Sequence, residues 1–350
     1  MKPPTMFEKK PLFYAGLWGA LIAVIAAAWL SGSITHPAGN TAFADSSRTP
    51  NAHDEALSAG PDTGEHAAVD RMVAIGDLHG DLVAAREALK LAGAIDDADN
   101  WVGGNLVVVQ TGDFLDRGDD DLAVLDLLAR LETEASKQGG AVYVLNGNHE
   151  AMNVAGDFRY VSPNAFAPFD RLIESSGNHA LAKDIAARFP AVAHGRAAAF
   201  LPGGPIARAL AKRPVVLKVG DTVFAHGGVL QRHIAYGIRR LNREVSKWFV
   251  GHAPPPEAIL DSDAPIWTRR YGVYNVPRET CDELNQVLEE MGAKRLVVGH
   301  TIQKTITSAC NEKVWRIDVG MSSHYGGDEY AVLEIDGDQV EILHTSAARN

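Results

Sequence analysis

The chain has 350 residues, 46% of them hydrophobic and 22% charged, with 33 Gly, 17 Pro and 2 Cys. That length and apolar content can bury a full core, which excludes disorder as the main state. Two cysteines exclude a disulfide scaffold and a four-cysteine zinc site, leaving one optional bridge between Cys281 and Cys310 that the sequence leaves open. The 33 Lys and Arg against 44 Asp and Glu give a net charge of −11 with no basic stripe interleaved with aromatics, so no nucleic-acid partner is expected.

Lys2, Lys9 and Lys10 precede an uncharged apolar run from Leu12 to Leu30. A bilayer span needs roughly 20 apolar residues, whereas the apolar stretch of a secretory signal is usually about 7–15. Residues 1–31 are therefore expected to be a signal anchor. A cleaved signal peptide is the alternative, because Ala42-Phe43-Ala44 has the small-x-small form of a cleavage site. Positive charge ahead of the run places the N-terminus in the cytoplasm and the rest outside. The expectation is an exported protein on the periplasmic side, anchored in the inner membrane or released after cleavage near Ala44. Residues 32–68, rich in Gly, Ser, Ala, Thr, Asn and His, read as a flexible linker without a fold of its own.

From residue 69 the pattern becomes strand, turn, helix. Val69 to Ile75 ends in Gly76-Asp77-Leu78-His79-Gly80 and leads into the helical DLVAAREALKLAG. Leu106 to Gln110 ends in Thr111-Gly112-Asp113-Phe114-Leu115-Asp116-Arg117-Gly118, ahead of Leu122, Leu125, Leu128 and Leu131 at helical spacing. Ala141 to Leu145 ends in Asn146-Gly147-Asn148-His149-Glu150. Strands alternating with helices predict a largely parallel inner sheet of α/β type, in which ligands bind beyond the carboxyl ends of the strands.

Residues 151–214 break this regularity with mixed helical patches and six prolines, and read as a cap or insertion that shapes a substrate groove. Val215 to Ala225 reads as a hairpin around Gly220-Asp221 and ends in His226-Gly227-Gly228; Arg295 to Val298 ends in Gly299-His300-Thr301. The runs VWRIDVG and EYAVLEIDGDQVEILH are expected to close a second sheet facing the first. The folded body is thus 69–345.

The strand ends collect Asp77, His79, Asp113, Asn148, His226 and His300, six oxygen and nitrogen donors with no thiolate. Such donors suit Mn, Fe or Zn. One tetrahedral ion needs only three or four of them, so the surplus predicts a pair of ions, with Asp113 on the middle strand as the shared ligand. His194, His233, His252 and His324 lack ligand-like spacing and are expected to be ordinary surface or core histidines.

GDLHG, GDFLDRG, GNHE, AHGG and GHT, in this order, closely resemble the metallophosphoesterase signature of the phosphoprotein phosphatase (PPP) superfamily. Within it, GNHEAMNVAGDFRYV, PIWTRRY and RIDVGMSSHYGG resemble the bacterial Shewanella-like protein phosphatases, and the likeness covers about residues 70–343. The resemblance implies a calcineurin-like β-sandwich flanked by helices, an α/β (α+β) fold of four layers. It further implies that Asp77, His79 and Asp113 hold one metal and that Asp113, Asn148, His226 and His300 hold the other. A metal-bridged hydroxide would attack phosphorus in line, with His149 as general acid, oriented by Asp116. Arg117 and Arg269 would grip the phosphoryl oxygens, with Arg270 as the rival of Arg269. Asp157, Arg159, Tyr160 and Tyr271 are further candidates to line the groove; Asp157 and Arg159 could equally form a structural pair. Neither cysteine sits in a phosphate-loop setting, which argues against thiol-based chemistry.

A metal-dependent phosphomonoester hydrolase is therefore expected, acting on phosphorylated protein at Ser/Thr or Tyr phosphate. A small phosphate ester or dinucleoside polyphosphate is the alternative substrate, and a non-catalytic phospholigand-binding protein the alternative from another class.

Overall fold

A computed structural model describes residues 64–170, 179–327 and 329–345. The expected anchor or signal segment, the site near Ala44 and most of the linker lie outside these residues. Among the described residues no helix is long and apolar enough to cross a membrane.

Period-two alternation explains the strands. In β2 (Arg71–Ile75), Met72 and Ala74 point to one face and Val73 and Ile75 to the other; all four are buried, as in β3 (Val107–Gln110). β2, β3 and β4 (Ala141–Val144) are parallel. The hairpin expected around Gly220-Asp221 is present as β5 (Val216–Val219) and β6 (Thr222–Ala225). β7 (Arg295–Val298) runs parallel to β6, and β9 (Val314–Arg316) runs parallel to β7.

Four strands depart from expectation. β1 (Glu65–His66) lies in the supposed linker yet pairs in parallel with Lys218 and Val219 of β5. β8 (Thr307–Ala309) is a short antiparallel partner of β9 without a strong pattern in the sequence. β10 (Ala331–Asp336) and β11 (Gln339–His344) do not extend the second sheet; β10 returns antiparallel to β2 and β11 borders it, giving the order β11-β10-β2-β3-β4. Burial explains the choice, since Leu333 and Ile335 face the inter-sheet core while Val332 packs outward. Arg71 pairs with Glu334 across the same seam at 2.5 Å. The other sheet has the order β1-β5-β6-β7-β9-β8.

The sheets face each other across one apolar cluster, with Met72, Val107 and Leu333 from one side and Leu217, Phe224, Val297 and Trp315 from the other. Helices cover the outer faces. α1 (Leu82–Leu91) and α2 (Asp121–Lys137) pack on the five-stranded sheet, and α3 (Asn148–Ala155) follows β4. The insertion contains α4 (His179–Arg188), α5 (His194–Phe200) and α6 (Pro205–Leu210). α7 (Gln231–Tyr236), α8 (Ile238–Phe249) and α9 (Arg278–Glu290) flank the six-stranded sheet, with Leu241, Val245, Leu284 and Val287 buried. Cys281 on α9 and Cys310 after β8 are joined by a disulfide, with their Cα atoms 5.2 Å apart.

Candidate metal centre and active site

The turns after β2, β3 and β4 in one sheet and after β6, β7 and β9 in the other meet at one point. They deliver Asp77 and His79, Asp113, Asn148 and His149, His226, His300 and Asp318, all of them buried. The backbone bends sharply to do so: φ is +47° at His79, +53° at Asp113 and +66° at His300, a region that side chains other than glycine rarely adopt. Close approach is equally strict at Gly147 and Gly299, where an added Cβ would lie 2.2 Å from Asp113 Oδ1 and 2.3 Å from Asp77 Oδ1.

Two groups of donor atoms share Asp113. Ligand atoms of His79, Asp113 and His149 lie within 4.8 Å of one another, and so do those of Asp113, His226 and His300. His226 Nε2 is 2.9 Å from Asn148 Oδ1, 3.1 Å from His300 Nδ1 and 3.1 Å from Asp113 Oδ2. Asp77 Oδ2 lies 3.8 Å from His79 Nε2.

The donor chemistry fits divalent cations. His226 Nδ1 donates to the Thr111 carbonyl (3.1 Å), His300 Nε2 to that of Trp267 (3.0 Å) and His79 Nδ1 to that of Leu115 (3.2 Å). A carbonyl only accepts, so each outer nitrogen carries the proton, and in the neutral ring the inner nitrogen presents a lone pair. Lone pairs of imidazoles, an amide oxygen and carboxylates thus converge on shared points, an arrangement that a cation satisfies. Burial, then the charge of His149, lowers His79 to a pKa of about 3. Burial followed by His226 and Arg269 takes His300 well below its ordinary value. Both imidazoles are therefore neutral at physiological pH, the form that can bind a cation.

The carboxylates divide. Burial, reinforced by Asp318 and Asp113, raises Asp77, whereas at Asp113 burial is outweighed by His226 and His149, which hold it well below the usual range. His149 goes the opposite way from the other imidazoles. Burial works against its charge, but Asp113 and the bond to Asp116 win and raise it to about 9. Its Nδ1 meets Asp116 Oδ2 at 2.7 Å, its backbone N–H donates to Asp113 Oδ1 at 2.9 Å, and its Nε2 faces Asp113 Oδ2 at 3.8 Å.

A cavity of about 880 Å³ opens beside this cluster, lined by Arg117, Asn148, His149, Tyr160, Trp267, Arg269 and His300 among others. The Arg117 guanidinium stacks over the Tyr160 ring at 3.9 Å. Arg269 reaches toward the metal side, donating to the His300 carbonyl (2.7 Å) and to Thr301 Oγ1 (3.0 Å). Its rival Arg270 borders the cavity but is held by Asp263 (2.8 Å) and Glu283 (3.2 Å). Three candidates for the groove fall elsewhere. Tyr271 is fully buried, its hydroxyl donating to the Val229 carbonyl at 2.7 Å, so it is a core residue. Asp157 and Arg159 are not among the cavity's lining residues and bind each other at 2.8 Å.

Several residues escaped the sequence reading. Glu150, quoted within its motif without a role, accepts the backbone N–H groups of Asp113, Phe114, Leu115 and Gly147 and so pins two ligand turns. Asp318 is buried near Asp77 and, through burial first, is raised to about 6. The Tyr325 hydroxyl lies 3.5 Å from His79 Nε2. His324, expected to be an ordinary histidine, borders a second depression beside Arg117, whereas His233 accepts the Leu230 N–H and is structural as expected. The sequence carried one signal for each acid: Glu150 directly follows Asn148-His149, and Asp318 stands two positions past β9.

The calcineurin-like phosphoesterase family matches residues 71–304, and the chain belongs to that family. It is 42% identical over 304 residues to Shewanella-like protein phosphatase 2 of Arabidopsis thaliana, covering 79% of this chain and 78% of that protein. Shewanella-like protein phosphatase 1 of Plasmodium berghei is 32% identical over 286 residues, covering 78% and 74%. The fold matches that of a cold-active protein-tyrosine phosphatase of a psychrophilic Shewanella species, with a TM-score of 0.65, 22% identity and 89% of each chain covered. A yeast protein serine/threonine phosphatase superposes with a TM-score of 0.54 at 13% identity, covering 95% of this chain and 91% of that one. Family and donor clusters together define a metal-dependent phosphatase whose site takes divalent ions, which removes the non-catalytic alternative.

Proposed function

We propose that the chain hydrolyses phosphomonoesters of phosphoproteins with a pair of divalent ions. Asp77, His79 and Asp113 hold one ion; Asp113, Asn148, His226 and His300 hold the other. The observation that carries this reading is the sharing of Asp113 between two donor groups, beside which His79, His226 and His300 each tie the outer nitrogen to a carbonyl and turn the other toward the centre. When bound, such ions supply Lewis acidity at the phosphoryl oxygens and make hydroxide available at neutral pH.

The chain's own residues do the rest. Arg117 and Arg269 bind the phosphoryl oxygens, since a guanidinium forks onto phosphate and keeps its charge. Tyr160 keeps Arg117 in place by stacking. His149, protonated on both nitrogens, holds Nδ1 against Asp116 and gives the Nε2 proton to the departing oxygen. Tyr160, Leu260, Trp267 and Val273 give the cavity apolar wall on which an aromatic or aliphatic leaving group can rest.

A protein substrate is supported by the names of the relatives at 42% and 32% identity. Metal-loaded protein should release phosphate from a phosphotyrosine or phosphoserine peptide at least as efficiently, in kcat/KM, as from a dinucleoside polyphosphate. Turnover confined to the dinucleotide would overturn the protein-substrate reading. From residues 1–44 we also infer export: a mature chain that starts at Asp45 shows cleavage, and one that keeps the apolar run shows an anchor.

A further inference from the structure

The insertion of residues 151–214 was expected to shape the substrate groove, yet one of its charged side chains does something else. Arg196 lies on α5 in the run Arg196-Ala197-Ala198-Ala199-Phe200, every residue of which is buried, and Arg196 itself has no exposed surface. A guanidinium that gives up water entirely must find its donors' partners inside the protein. Arg196 Nη2 binds Asp116 Oδ1 at 2.9 Å and Asp121 Oδ2 at 2.6 Å; Nε donates to Asn153 Oδ1 at 2.8 Å and Nη1 to the Ala165 carbonyl at 3.1 Å. The rings of Phe200 and Phe169 lie 4.8 and 5.1 Å from its central carbon.

The polar side chains among these partners are Asp116 itself and two residues that hold it. Asp121 Oδ1 accepts the Asp116 backbone N–H at 2.7 Å, holding a residue whose φ is +68°. Asn153 Nδ2 donates to Asp116 Oδ1 at 2.9 Å and to the His149 carbonyl at 2.9 Å. Asp116 therefore divides its oxygens, with Oδ1 facing Arg196 and Asn153 and Oδ2 facing His149 Nδ1 at 2.7 Å. Arg196 and a protonated His149 balance Asp116 and Asp121 in charge, so the buried group is neutral as a whole.

We propose that Arg196 is a positioning residue for proton transfer: it fixes the Asp116 carboxylate from behind and so sets where His149 presents its Nε2 proton. The insertion thereby serves the chemical step as well as the groove. This rests on the reading of His149 as general acid. Without the Nη2 contact, Asp116 Oδ1 would be held by Asn153 alone; the carboxylate could then rotate about its Cβ–Cγ bond and the imidazole would follow, and a displacement of about 1 Å at a reacting group is enough to cost ~10²-fold in rate.

A buried ion pair could also be merely structural, and the two roles separate by leaving group. Acid assistance matters most when a poor leaving group departs and little when a good one does. The test compares kcat on phenyl phosphate and on 2,4-dinitrophenyl phosphate for metal-loaded wild type, Arg196→Lys and His149→Asn, with metal content measured for each. Arg196→Lys keeps the cation and loses the planar guanidinium that reaches Asp116, Asp121, Asn153 and the Ala165 carbonyl together. The expected result is a loss of ~10–10²-fold on phenyl phosphate and less than a few-fold on the dinitrophenyl ester, with KM and metal content unchanged. An equal loss on both esters, or no loss, overturns the proposal. If Arg196→Lys does not fold, Asn153→Ala, which removes the neutral link between Arg196 and Asp116, is read by the same criterion. The His149→Asn control keeps the failures apart: absence of leaving-group bias there defeats the general-acid reading itself, whereas bias there without bias in the Arg196 variant defeats only this proposal.

Discussion

The turns of the five-stranded sheet and those of the six-stranded sheet meet at one centre but bring different chemistry to it. The first set supplies carboxylates, the amide of Asn148 and the cationic His149, on a backbone forced into positive φ at His79, Asp113, Asp116 and Arg117. The strain is held by buried acids, Glu150 taking four backbone N–H groups and Asp121 one. The second set supplies His226 and His300, with their outer nitrogens tied to carbonyls of neighbouring turns, and Arg269 above them. The first half holds most of the charge, and the second, with Asp318 as its one acid among these groups, offers imidazoles tied to carbonyls. Asp113, the carboxylate common to both donor groups, is where the halves join.

The largest expected effect breaks that joint. Asp113→Asn should lose both ions together and bring turnover to background, as read by elemental analysis of purified protein; a variant that keeps two ions per chain shows that Asp113 does not bridge.

Next comes the charged half taken alone. His149→Ala should cut kcat by ~10²–10⁴ on a phenyl or alkyl ester while leaving the ions in place. Metal loss in that variant would make His149 a ligand instead. A general acid must carry its proton, so activity falls as pH rises through the pKa of His149, about 9 with no cation beside it. Bound cations can only lower that value, so the alkaline limb should fall at or below pH 9 in wild type and vanish in His149→Ala. An unchanged limb in the variant assigns it to another group.

The half that carries His226 and His300 is sharpened by Arg269 and Arg270. Arg269→Ala removes a charged hydrogen bond worth about 1.5–3 kcal/mol, hence ~10–10²-fold in kcat/KM. Arg270→Ala, whose guanidinium is already engaged by Asp263 and Glu283, should change it by a few-fold at most. Reversed magnitudes would exchange their roles.

The smallest effect on activity lies away from the chemistry. The disulfide closes a separation of 29 residues within the second half, worth about 3–4 kcal/mol through the unfolded chain. Cys281→Ser should lower Tm with kcat at low temperature unchanged; a loss of kcat would tie this cross-link to the site.

Much of the site was legible because each ligand follows an apolar strand directly and is flanked by glycine, as in Gly76-Asp77 and Gly299-His300. A strand end is a fixed point, so residue type and spacing there translate into position. What the sequence hid were partners that meet only in three dimensions. Arg196 sits in a short alanine-rich helix with no motif, and its burial among apolar neighbours was the one available signal. Tyr271 was misread because its position next to Arg269 and Arg270 suggested the groove, whereas its ring faces the core. β10 and β11 alternate as strands should, but alternation does not say which sheet edge a strand joins. The two residues of β1 are held by pairing with β5 and leave no periodic trace.

The central claim is that two ions share one carboxylate between the halves. Anomalous diffraction from crystals of the Mn-loaded protein tests it directly. The account predicts two peaks about 3.5–4 Å apart, with Asp113 between them, one beside His79 and the other beside His226 and His300. A single peak, or a second one that Asp113 does not touch, would contradict it.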